Sequence, residues 1–201
     1  MSVDMSKHFS TSALIRFTLP TIAMMIFISI YSVVDGLFVS NFAGKEALAA
    51  VNLVFPLVMA LGSVGFMFGT GGAALVAKTM GEGDQVRANR LFSLIAVAGT
   101  ALGIVLAGVG AGILGPLLEA LGAQGTLKDQ GLAYGFILLA ALPFSIMQNM
   151  FQSFFIAAER PKVGLAVTIA AGVANIVLDY LFIAVLGWGI AGAALATALG
   201  Q

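Results

Sequence analysis

The residues best suited to chemistry are two aspartates set in apolar surroundings. Asp35 lies in "YSVVDGLFVSN" (31–41), within a run that is otherwise mostly apolar from Phe17 to Phe42. Asp179 lies in "ANIVLDYLFI" (174–183), four residues after Asn175. On a helix, that spacing puts Asn175 and Asp179 on one face. Two carboxylates and an amide oxygen can take up a proton or hold Na⁺ as a hard oxygen site. The plainer alternative is that each aspartate caps a broken helix or makes one structural hydrogen bond. Further amides recur at Asn52 and in "SIMQNMFQS" (145–153), where Gln148 and Gln152 share a face with Asn149 beside them. Such amides either tie one helix to another or line a wet cavity. Met24, Met25, Met147 and Met150 either pack or line an adaptable cavity.

The elements that position these groups follow from composition. The chain has 201 residues, of which 60% are hydrophobic and 9% charged, with mean hydropathy +1.07. A soluble domain carries about a quarter charged residues. So apolar a chain belongs in lipid, where apolar side chains need no cover. The formal net charge is zero, so no basic field recruits nucleic acid. There is no cysteine, and the single imidazole, His8, falls in a polar N-terminal tail over residues 1–12. No serine–histidine pair or metal cluster occurs in the apolar segments, so no enzyme chemistry is expected. "GTGGAA" (69–74) follows no strand and does not read as a nucleotide loop.

Five complete apolar segments and the start of a sixth are predicted, over residues 13–42, 47–77, 91–118, 132–158, 163–186 and 189–201. Each complete segment exceeds the ~20 residues that cross a bilayer as a helix. The expected fold is therefore an all-α integral membrane bundle. Lys7, Arg16, Lys78, Arg87, Arg90, Arg160 and Lys162 flank one set of ends, and Lys45 and Lys128 the other, a division of seven to two. That bias places the N-terminus in the cytoplasm. The first and fifth helices then run outward. Asp35 lies 19 residues beyond Arg16, and Asp179 lies 17 beyond Lys162. At ~1.5 Å per residue these are about 28 and 26 Å, so both acids reach a similar depth in the outer half of the membrane. A charged side chain there costs about 2.5–3.5 kcal/mol on insertion scales and usually finds a partner in the bundle interior.

The chain also echoes itself. "DGLFV" (35–39) and "DYLFI" (179–183) each precede a glycine-containing turn and an alanine-rich segment. Repeats of this kind are common in secondary transporters. Gly65 with Gly69, Gly99 with Gly103, and Gly108 with Gly112 form GxxxG pairs, which predict close helix packing.

"VDGLFVS", "GKEALAAVNLVFPL", "GGAALVAKTMGEGD", "AAERPK" and "NIVLDYLFI" occur in that order across nearly the whole chain. In this it resembles the N-terminal half of the multidrug and toxic compound extrusion (MATE) transporters. The resemblance implies the N-terminal lobe of a twelve-helix, two-lobe transporter working by alternating access. It implies export of organic cations or amphipathic drugs across the bacterial inner membrane in exchange for H⁺ or Na⁺, with no other cofactor. By position, coupling would fall to Asp35, Asn175, Asp179 and Thr197. Asn52, Gln148, Asn149 and Gln152, read from the residues alone, are the candidates for a substrate cavity. The sequence stops within its sixth segment, so a fragment is expected, completed by a C-terminal lobe or a second copy. Two rival readings are a lipid-linked precursor flippase of the same superfamily and a non-transporting half-size subunit. The arginines all lie at segment ends, which disfavours a polyanionic headgroup.

Overall fold

The computed structural model describes residues 11–158 and 161–201. Lys7, His8, most of the N-terminal tail and Arg160 lie outside the described residues. The elements in order are α1 (Thr11–Phe38), a π-helical turn π1 (Val39–Ala43), α2 (Lys45–Gly81), α3 (Gln85–Ala120), α4 (Thr126–Ala157), α5 (Pro161–Asp179), a second π-helical turn π2 (Tyr180–Val185) and α6 (Gly189–Leu199). There is no strand among the described residues. Five helical segments are long and apolar enough to cross a membrane, and α6 is a shorter apolar helix.

Helix limits follow local chemistry. Gly83 takes a left-handed backbone (φ 86°) after α2. Asp84 then caps α3 by accepting the Arg87 backbone N–H at 2.9 Å. That cap starts α3 at Gln85, ahead of the apolar run that begins at Leu91. Pro161 opens α5, where its missing N–H leaves no hydrogen bond unmade. Pro20, Pro56, Pro116 and Pro143 are all accommodated inside helices. At the opposite end of the bundle Gly44 (φ 98°) turns the chain from π1 into α2. The two faces are called here the Gly83 end and the Gly44 end.

The core forms where α2, α3, α4 and α6 meet, around Val54, Leu114, Leu142 and Ile146. α4 is the most buried span, while α1 and α3 expose most of their length. Such exposure suits lipid, which solvates apolar side chains. α2 lies tightly along α4 because Gly65 and Gly69 have no side chains. A Cβ on Gly65 would come within 2.7 Å of the Ile146 carbonyl, and one on Gly69 within 2.9 Å of the Met150 Cα. Gly103 similarly seats Pro143 of α4 against α3. Gly108 and Gly112 differ from expectation. A Cβ on either meets nothing within 4 Å, since that face of α3 has no helix opposite it.

The internal echo has a structural counterpart. α1–π1–α2 and α5–π2–α6 are each helix, π turn, left-handed glycine, helix. The residues four beyond each aspartate, Val39 and Ile183, are both buried in the shared core. The residues three beyond, Phe38 and Phe182, stack on Phe42 and Trp188. α1 packs along α5, and π1 touches π2. The two units therefore associate through the segments that carry the acids.

Candidate functional site: a paired acid between α1 and α5

The α1–α5 contact is set by Gly172, one of the few positions on α5 where an aromatic ring can reach the backbone. A Cβ there would meet Phe27 at 2.5 Å and Tyr31 at 3.3 Å. Asp35 is one turn beyond Tyr31 on α1, and Asp179 two turns beyond Gly172 on α5. Seating the rings against Gly172 thus brings the two carboxyls together as neighbours at the α1–α5 contact. Asp179 is wholly buried, and Asn175 is 5% exposed one turn below it.

The oxygens here lack donors. Asp35 Oδ1, Asn175 Oδ1 and both carboxylate oxygens of Asp179 are buried without a hydrogen-bond donor. Two ionised carboxylates can only accept, so they cannot satisfy each other. They bond only with a proton between them or with a cation taken up by both. No group of three or more acidic, histidine or cysteine residues forms among the described residues. Two acids and an amide suit a singly charged cation better than Ca²⁺ or Mg²⁺, which draw on more charge and more ligands.

Two tyrosines border the pair. Tyr31 shares a face of α1 with Asp35, one turn before it, and Tyr134 of α4 is buried with Val39 and Ile183, the residues four beyond each aspartate. Sequence reasoning missed Tyr134, because a tyrosine in an apolar span reads as packing. The one available signal was its place, one helical turn after Gln130 on the predicted fourth segment. Thr197 lies on α6, which backs onto α5 where Gly200 meets Asn175. Its hydroxyl donates to the Ala193 carbonyl at 3.0 Å, leaving its lone pairs to accept.

The amides separate. Gln148 and Gln152 line a cavity of about 390 Å³ between α4 and α5, with Phe144, Phe151, Phe155 and Thr168. The Gln152 amide reaches Thr168 Oγ1 at 3.3 Å. Ser145 donates to Gln201 Oε1 nearby. Asn149 instead packs where α2 and α4 touch, beside Gly65. Asn52 is exposed on α2 and joins neither group.

This arrangement has clear relatives. The family model MatE matches residues 20–181. Multidrug export protein MepA of Staphylococcus saprophyticus is 24% identical over 186 residues, which is 92% of this chain and 41% of that protein. A MOP superfamily transporter from Pyrococcus furiosus superposes with a TM-score of 0.86 at 27% identity, covering 92% of this chain and 41% of its own. A multidrug resistance MATE family transporter solved in an outward-facing conformation gives the same TM-score, identity and coverage. The chain spans about two fifths of the length of these relatives and corresponds to their N-terminal lobe. On its family match, and with six apolar helices in two similar units among the described residues, the chain is a multi-pass membrane protein that belongs to the MatE family.

Proposed function

We propose that this lobe is the ion-coupling half of a secondary active efflux transporter. It binds H⁺ or Na⁺ at Asp35 and Asp179, with Asn175 and Thr197 supplying further oxygens. Occupancy biases alternating access, and cationic or amphipathic drugs leave in exchange. The observation that carries this reading is the convergence of buried, donorless oxygens between α1 and α5. A second lobe, or a second copy of the chain, completes the pathway. The protein sits in the bacterial inner membrane with its N-terminus in the cytoplasm, as the seven-to-two basic bias supports. The Gly83 end is then cytoplasmic.

The cavity by Gln148 and Gln152 fits the aromatic portion of such a drug. Its phenylalanines offer stacking faces and its amides offer hydrogen bonds. Asn52 and Asn149 stand away from it and are not assigned to substrate. The test is efflux of a fluorescent cationic dye from cells making the complete transporter. Asp35→Asn is expected to abolish efflux at normal expression. Undiminished efflux would remove Asp35 from coupling.

A further inference from the structure

Thr126, Gln130 and Tyr134 recur every four residues on α4 and so form one stripe. Exposure falls along it: Thr126 is exposed, Gln130 half-buried and Tyr134 buried. Thr126 Oγ1 donates to Glu46 Oε2 of α2 at 2.6 Å, at the Gly44 end. Gln130 Oε1 is buried and has no donor. Tyr134 is buried in the same core cluster as Val39 and Ile183, which lie four residues beyond Asp35 and Asp179. Beyond it, "GFILLAALPF" (135–144) carries no polar side chain, so the stripe stops at the acid pair. Eight residues separate Thr126 from Tyr134. That is about 12 Å of helix at ~1.5 Å per residue.

A carboxylate, a hydroxyl, an amide carbonyl and a phenol thus step from the Gly44 end down to the acids. Each oxygen can accept from water or hold a small cation. Neighbours four apart are about 5–6 Å from each other, a gap one water can bridge. Lys128 does not oppose a cation here, because it is drawn to Glu119 of α3 at 2.6 Å. Asp129 and Glu46 add negative charge at the mouth, alongside Lys45.

We propose that the Glu46–Thr126–Gln130–Tyr134 stripe is the route by which a small oxygen-seeking cation, H⁺ or Na⁺, passes between the Gly44 end and the Asp35–Asp179 pair. Gln130 is its positioning residue. The proposal rests on the acid pair being the coupling site.

The test is infrared detection of the aspartate carboxyl band in the full chain, reconstituted in lipid vesicles, after a jump in pH or in Na⁺. Gln130→Leu is expected to slow the band's response by about tenfold, or about 1.4 kcal/mol on the barrier, without shifting its midpoint or amplitude. Gln130→Asn should recover part of the rate. Gln130→Met, an unbranched replacement of similar length, should slow it likewise if the leucine variant folds poorly. Slowing confined to the pH jump or to the Na⁺ jump supports the route and identifies the cation. An intact, titrating band with an unchanged rate in both apolar variants overturns the route and spares the acid pair. A wild-type band that responds to neither jump overturns the coupling site, and the route with it.

Discussion

At the scale of residues, the buried oxygens of Asp179 lack donors, and what replaces those donors decides the chemistry. An asparagine there brings its own N–H₂ and meets Asp35 without a proton or cation. Asp179→Asn is therefore expected to reduce ion-driven dye efflux by at least about tenfold while leaving the protein folded, because a neutral amide is cheaper to insert than an acid. Efflux rates and melting temperature measured on the same preparation separate the two effects. Tyr134→Phe keeps the ring in its buried seat and deletes one hydroxyl beside the acids. A single hydrogen-bonding group is worth about 0.5–1.5 kcal/mol, so the expected loss of efflux is about two- to tenfold. Asp35 and Asp179 were legible as candidates in the sequence because a carboxyl in an apolar run is costly even when it only caps a helix or makes one hydrogen bond, and counting helical rise matched their depths. Tyr134 and Gln130 were not, because an aromatic inside a span and an amide near its end are both ordinary. Only the pairing of α1 with α5, and of α5 with α4, gives those two a meaning.

At the scale of elements, identical motifs part company according to what stands opposite. Gly65→Leu drives a side chain into the Ile146 backbone, which cannot yield as a flexible side chain would. Overpacking of that kind costs about 1–3 kcal/mol. Gly108→Ala meets nothing within 4 Å and gains about 0.8–1 kcal/mol of helix propensity where it is exposed. Thermal unfolding in one detergent should rank Gly108→Ala at or above wild type and Gly65→Leu clearly below. The sequence shows the Gly65/Gly69 and Gly108/Gly112 pairs alike, since the motif states what a helix permits and its partner decides whether the permission is used. The two π turns were also invisible. Tyr180–Val185 carries no charged or amide side chain and Val39–Ala43 only Ser40 and Asn41 as polar residues, and the change of register has no residue signature of its own. The echo of D-x-L-F did survive into structure, because burial of Val39 and Ile183 depends on spacing from the aspartates, which the sequence does show.

At the scale of the molecule, the described lobe is two similar helix–turn–helix units joined by α3 and α4, with its acids at the seam between units. The proposed alternating access would move the units against each other at this seam. Orientation is open to a simple check, because the chain has no cysteine. Single cysteines at Glu82 and at Gln124 sit in loops at opposite ends. An impermeant thiol reagent added outside intact cells is expected to label Gln124→Cys and not Glu82→Cys. The reverse pattern would invert the proposed topology and put the α4 stripe on the cytoplasmic side. The helical membrane architecture was legible from composition and segment length alone, whereas the meeting of α1 with α5 needed Gly172 and its two aromatic partners.

The measurement that bears most directly on the acid pair is infrared titration of its carboxyl band in three proteins: wild type, Asp35→Asn and Asp179→Asn. A cation held jointly predicts one titrating band in wild type that is lost or strongly displaced by either substitution, because each acid's protonation depends on the other. If each single variant keeps the wild-type titration of its remaining aspartate, the two acids act independently, and Asp35 and Asp179 do not form a shared coupling site.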